Sequence, residues 1–86
     1  MPQVFIPPQL RPLTGAPQVA VEGRTVREVI DALERKHPGI RQRLCDGDEL
    51  ASGLAVAING SISSLGLLTK VDPQSEVHFL PAIGGG

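Results

Sequence analysis

Thr25-Val26-Arg27-Glu28 is the strongest local instruction in the chain. It has the spacing of a capping box, in which a Thr hydroxyl and a Glu carboxylate three residues on satisfy each other's backbone donors, so a helix is predicted from Thr25. Val26, Val29, Ile30 and Leu33 follow at i, i+3, i+4 and i+7 and form one apolar stripe, while Arg27, Asp31, Glu34 and Arg35 point elsewhere. Pro38-Gly39 ends the helix close to Lys36 or His37. Ile40 and Leu44, four apart, predict a short extra turn docked against the same core. A helix with one apolar stripe needs an apolar surface to lie on.

Strand signals supply that surface. Val4-Phe5-Ile6 is a short apolar run stopped by Pro7-Pro8, which remove two ladder donors, and it reads as a first strand. From Pro7 to Pro17 four prolines and Gly15 surround Leu10 and Leu13, predicting a long stiff loop before a second strand over Val19-Ala20-Val21-Glu22-Gly23. Strand, loop and strand make a splayed hairpin. Leu54 to Ile58 is the third strand, and Asn59-Gly60 after it marks a tight turn because both residues tolerate positive φ, with a short return through Ser61-Ile62-Ser63. The run Leu65 to Val71 is apolar without clean periodicity. Asp72-Pro73-Gln74-Ser75 is a turn before the last strand, Glu76 to Leu80, and Pro81 to Gly86 are expected to join no regular element. The order strand, strand, helix, strand, strand suits an α+β design, with one mixed sheet packed on one main helix. The expected layout is a domain over 1–80 and a tail over 81–86.

A chain of 86 residues builds only a modest core, which argues against a second domain or a deep catalytic cleft. Its hydrophobic share of 41% is that of an ordinary globular domain. Phe5 and Phe79 are the only aromatics, and eight Lys and Arg against nine Asp and Glu leave a net charge of -1. Neither a base-stacking platform nor a field for phosphate backbones can be assembled, so nucleic acid is not an expected partner. The single cysteine forms no internal disulfide, no basic and apolar leader is present, and no apolar run approaches the ~20 residues that span a bilayer. The expectation is a cytoplasmic protein without a membrane partner.

A search for catalytic sets finds little. Cys45 has His37 and His78 as potential partners, but no spacing fixes a geometry, and it reads as a buried or half-buried structural residue. One Cys and two scattered His show none of the paired spacings of a zinc site, and Asp46, Asp48 and Glu49 around Gly47 lack the ligand pattern of a calcium loop and read as a solvated turn. No metal is expected. Arg35, Lys36, Arg41 and Arg43 fit either a docking patch for an acidic partner or the cations that helix C-termini attract.

The C-terminus stands apart. Gly84-Gly85-Gly86 follow closely on the last strand, and an extended stretch from Pro81 to Gly86 reaches at most about 20 Å, enough to enter a partner's channel. Glycine fits a narrow channel and leaves the terminal carbonyl carbon open to attack. By composition alone a frayed end without function is the favoured reading. Alternation along the last strand sends Val77 and Phe79 to the core and His78 and Leu80 to the other face, leaving Leu80, Pro81 and Ile83 as apolar groups for a partner; a register shifted by one makes Leu80 core instead.

Read with that tail, Glu76-Val77-His78-Phe79-Leu80-Pro81-Ala82-Ile83-Gly84-Gly85 closely resembles the ending of the ubiquitin-like sulfur-carrier family, which includes the small subunit of molybdopterin synthase and the thiamine-pathway carrier. The stretch Pro8 to Gly15, Thr25-Val26-Arg27-Glu28, His37-Pro38-Gly39 and Val56-Ala57-Ile58-Asn59-Gly60 also resemble it, especially its cysteine-pathway branch. The tail has three glycines where two are usual in that family, and 61–72 follow the family pattern poorly.

The resemblance implies a β-grasp fold with a flexible Gly-Gly-Gly tail. It also implies a co-substrate in place of an enzyme. A ubiquitin-activating-type adenylyltransferase would use ATP to adenylate the Gly86 carboxylate, and a sulfur donor, a sulfurtransferase or sulfide, would displace AMP to leave a thiocarboxylate. That sulfur would then serve an accepting synthase, with Gly84 and Gly85 lying in the partner's channel. No bound cofactor is implied, and the carrier would be a monomer alone. The alternative is a protein modifier joined through Gly86 to lysines of a target. Cofactor, cysteine and sulfur-containing metabolite pathways all remain open as acceptors.

Overall fold

The computed structural model describes residues 1–81. The capping signal produces helix α2, Val26–Lys36, while α1 is a four-residue turn, Arg11–Thr14, ahead of it. Thr25 is extended at φ -136° and ψ 163°, and its hydroxyl accepts the Glu28 N–H at 3.2 Å. The Glu28 carboxylate reaches one residue further than a simple capping box, accepting the Arg24 N–H at 3.0 Å. Val26, Val29, Ile30 and Leu33 are all buried, as their period predicts. The expected extra turn is helix α3, Ile40–Leu44, which buries Ile40 and Leu44. Gly39 takes φ 103° between the helices, and the Glu34 carboxylate accepts the N–H groups of Gly39 and Arg41 at 3.0 and 2.9 Å. One side chain thereby caps the short helix and pins the corner.

Among the described residues seven strands form two sheets: β1 Gln3–Phe5, β2 Gln18–Ala20, β3 Cys45–Asp46, β4 Glu49–Leu50, β5 Leu54–Ile58, β6 Ser61–Ile62 and β7 Glu76–Pro81. The main sheet runs β2-β1-β7-β5-β6, and β3 with β4 makes a separate hairpin. β7 lies at the centre, parallel to β1 and antiparallel to β5, with Val4 opposite Val77 and Phe79 opposite Val56. These four side chains are buried on the face that packs with α2. Asn59 at φ 52° and Gly60 at φ 87° make the tight turn into β6, as predicted.

Four elements differ from expectation. β1 keeps three residues but lies one residue earlier than expected, because Pro7 and Pro8 end it at Phe5, and β2 starts at Gln18 and is shorter; the pairing continues irregularly through Ile6 N–H to Pro17 O at 2.8 Å and Val21 N–H to Pro2 O at 3.2 Å. The stiff loop holds a 3-10 turn, Pro8–Leu10, running into α1, since a proline in the first turn removes only a donor that would lack a helical partner. The turn around Gly47 is flanked by the two-residue strands β3 and β4, too short to show a period. The run after β6 folds into a second 3-10 turn, Gly66–Leu68, which buries Leu67.

β7 also reaches one residue beyond Leu80. Pro81 pairs with Leu54 as the last rung, contrary to the expectation that it lies outside any regular element. The reason is local: β1 accompanies β7 only as far as His78, so beyond it β7 has one neighbour and a missing N–H costs no second ladder bond. Ala82, Ile83, Gly84, Gly85 and Gly86 lie outside the described residues. Among the described residues no helix is long and apolar enough to cross a membrane.

Candidate functional site

The chain enters its tail from the C-terminal end of the central strand. Along β7 the alternation is as predicted: Val77 and Phe79 are buried, while His78 and Leu80 are half-buried on the opposite face. Register then decides what surrounds them. Phe5 of β1, His78 of β7, Ala57 of β5 and Ile62 of β6 form one row across the sheet, and Leu80 beside Ala55 forms the next row toward the tail. Among the described residues α2 and α3 pack on the other face, with Val4, Val56, Val77 and Phe79. Phe5 and His78 stack with ring centroids 4.1 Å apart, and Ile62 is 70% exposed. Glu76 with Gln3 and Gln18 makes a polar margin; the Gln18 amide donates to Gln3 Oε1 at 2.8 Å, and His78 Nε2 lies 3.4 Å from Glu76 Oε1. The result is an apolar centre with a polar rim, the anatomy of a docking face.

Leu80 is therefore part of this open face. Pro81, next in the strand, is exposed and turned the other way, so the two do not act side by side. The remaining expected site residues, Ile83, Gly84, Gly85 and Gly86, lie outside the described residues. Phe5, Ala55, Ala57 and Ile62 were not identified from the sequence. β5 is apolar at every position, so only its register with β7 and β6 shows which of its faces joins Leu80.

No competing active site appears elsewhere among the described residues. A depression of about 500 Å³ lies at Asn59 and 72–75, beside the start of β7 and far along the strand from the tail, and it holds no nucleophile paired with a base. Cys45 is half-buried; burial pushes its thiol up, and the nearby Arg41 only partly opposes this, which makes it a poor nucleophile. No group of three or more His, Cys, Asp or Glu could hold a metal ion among the described residues. Of the four clustered cations, Lys36 donates to the Ala20 carbonyl at 3.2 Å, and Arg41 Nε is buried 3.3 Å from Asp31 Oδ1 without hydrogen-bonding geometry. Arg35 and Lys36 end α2 and Arg41 and Arg43 end α3, the placement that helix dipoles favour.

The ThiS family profile matches residues 4–86. The chain belongs to the ThiS family. A chain of the Amycolatopsis orientalis BexX/CysO complex shares 36% identity with it, with 100% of both chains covered and a TM-score of 0.90. Mycobacterium tuberculosis CysO shares 34% identity over 96% of this chain and 100% of that one, with a TM-score of 0.86. Small archaeal modifier protein 1 from Methanosarcina acetivorans shares 28% identity over 99% and 95% of the two chains, with a TM-score of 0.78. No curated protein matches. This ThiS-family chain is a ubiquitin-like sulfur carrier with the β-grasp fold, a mixed sheet on one main helix.

Proposed function

We propose that the chain carries sulfur as a thiocarboxylate on Gly86 and is a co-substrate of its partner enzymes, with no catalytic site of its own. The observation that carries this reading is a family match that extends to Gly86 on a fold whose central strand leads into that tail. A carboxylate is a poor electrophile. In an activating partner its oxygen attacks the α-phosphorus of ATP, pyrophosphate leaves, and the product is an acyl adenylate. Sulfide then attacks the acyl carbon, the bond to the phosphate oxygen breaks, and AMP departs. No change in oxidation state is needed. The thiocarboxylate is ionised at neutral pH and attacks an acceptor without a base on the carrier.

The fold's part is positional. Pairing of Pro81 with Leu54 fixes Pro81 on the sheet, and an extended stretch from there would let Gly86 reach at most about 20 Å. Gly84 and Gly85 pass through the partner's narrow channel, Leu80 and the open sheet face dock beside its mouth, and Pro81 and Ile83 contact its entrance. The partners are a ubiquitin-activating-type adenylyltransferase, a sulfur donor and an accepting synthase, and ATP is consumed on the first of these. The BexX/CysO complex, which includes a chain 36% identical to this one, supports a role bound to a protein partner.

The test is the intact mass of the untagged protein after incubation with its host's activating enzyme, ATP and sulfide. A gain equal to exchange of one oxygen for sulfur, absent from a Gly86-deleted variant, supports the reading. Unchanged mass with demonstrably active enzyme overturns it. A second reading, attachment through Gly86 to lysines of target proteins, is favoured by the likeness to a small archaeal modifier protein. It would appear in the same experiment, run with cell extract, as heavier lysine-linked species.

A further inference from the structure

On the helix side of the sheet, away from the open face, the β3–β4 hairpin and the 3-10 turn Gly66–Leu68 enclose a groove of about 490 Å³. Its apolar lining includes the half-buried Leu50 with Leu65 and Leu68, which are 62% and 71% exposed. Leu65 and Leu68 are two of the five large hydrophobic side chains left exposed among the described residues, and they are the two that line a groove beside carboxylates. The charges lining it are of one sign: Asp46, Asp48 and Glu49 line the groove, and among the described residues no Lys, Arg or His does. Arg27 reaches Asp48 at 3.5 Å from α2, while Asp46 and Glu49 have no ion-pair partner among the described residues.

We propose that this groove is a second protein-docking surface, which takes a basic, leucine-bearing segment of a partner while the open face and tail are engaged elsewhere. The chemistry selects that occupant. The carboxylates only accept hydrogen bonds, so they repel phosphates and anionic lipid and attract Lys and Arg. The leucines need apolar anchors, which a simple cation lacks, and the carboxylates do not form a metal-holding group. An amphipathic segment with leucine on one face and lysine or arginine flanking it satisfies both. Because the groove lies on the helix side of the sheet and Phe5 and Leu80 lie on the other face, one partner does not exclude the other.

The probe is a synthetic amphipathic helix with leucine at i, i+3, i+4 and i+7 and lysine elsewhere, titrated into the isotope-labelled full chain and followed by amide NMR. The expected result is saturable shifts at Glu49, Leu50 and 64–68, with Phe5 and Leu80 unmoved. The paired substitutions D46K/E49K and L65S/L68S, all at exposed positions, should each weaken binding at least about tenfold while the rest of the spectrum stays in place. A probe with glutamate in place of lysine should not bind. Shifts centred on Phe5, Ile62 and Leu80, or binding that survives both paired substitutions, would overturn the proposal. So would groove shifts that depend on protein concentration alone, which would make the occupant a second copy.

Discussion

The imidazole of His78 lies flat against the ring of Phe5, with centroids 4.1 Å apart and planes within 5° of parallel. The pair joins β1 to β7, from opposite ends of the chain, at the centre of the open sheet face. Both rings are half-buried, and under the proposed function this face is the one offered to a partner.

Replacing Phe5 by Ala removes that platform. With the activating partner, the KM for the carrier in ATP–pyrophosphate exchange should rise about tenfold or more, as expected when a central aromatic anchor worth roughly 1–3 kcal/mol is lost, while kcat changes little. A KM unchanged by F5A and by L80S would show that the enzyme does not use this face.

Gly23 sits against the start of α2 so closely that a Cβ there would meet the Val29 nitrogen at 2.7 Å and Val29 Cγ2 at 2.9 Å. The backbone on one side of that contact cannot yield without moving the helix. Gly23→Ala should therefore destabilise the fold by about 1–3 kcal/mol, read as a lower urea midpoint at unchanged slope. An alanine tolerated at no cost would mean that α2 slides freely on the strand connection.

The parts of this fold that were legible in advance are those whose cause is local. Thr25 and Glu28 start α2, Val26 to Leu33 aim it, and Asn59-Gly60 turn β5 back, each within a few residues. What was not legible depends on distant neighbours. Prolines 8 and 12 stand in first turns, but in sequence they are indistinguishable from breakers. The β3–β4 hairpin has two residues per strand, too few for any alternation. Most of the open face was hidden for the same reason: His78 and Leu80 could be placed by alternation within β7, whereas Phe5 joins them only through the pairing of β1 with β7, and Ala55, Ala57 and Ile62 only through the register of β5 and β6.

Cys45 begins β3 and is half-buried, and burial raises its thiol above the ordinary range. Less thiolate at neutral pH means slower alkylation. Iodoacetamide should label the folded protein several-fold more slowly than the protein unfolded in urea, and thiocarboxylate formation should persist in Cys45→Ser. Loss of sulfur loading in that variant would give the cysteine a role in transfer that its environment does not support.

Glu34 accepts from the N–H groups of Gly39 and Arg41, and these bonds, Arg41 first, hold its carboxyl below the ordinary glutamate range. The charged form is thus favoured in the folded state relative to the unfolded chain. Its contribution to stability is fully present above the unfolded glutamate pKa and is lost as pH falls through the lower folded value. Glu34→Gln keeps the shape and an acceptor oxygen but removes the charge and its titration. Above the unfolded value the variant should be less stable than the parent. Going down through the acid limb the two curves should converge, because the parent loses the very interaction that the variant lacks. Thermal unfolding from neutral to acid pH reads this directly: a constant offset between the two proteins would mean that the corner between α2 and α3 is held by shape and packing, and that the Glu34 charge adds nothing to it.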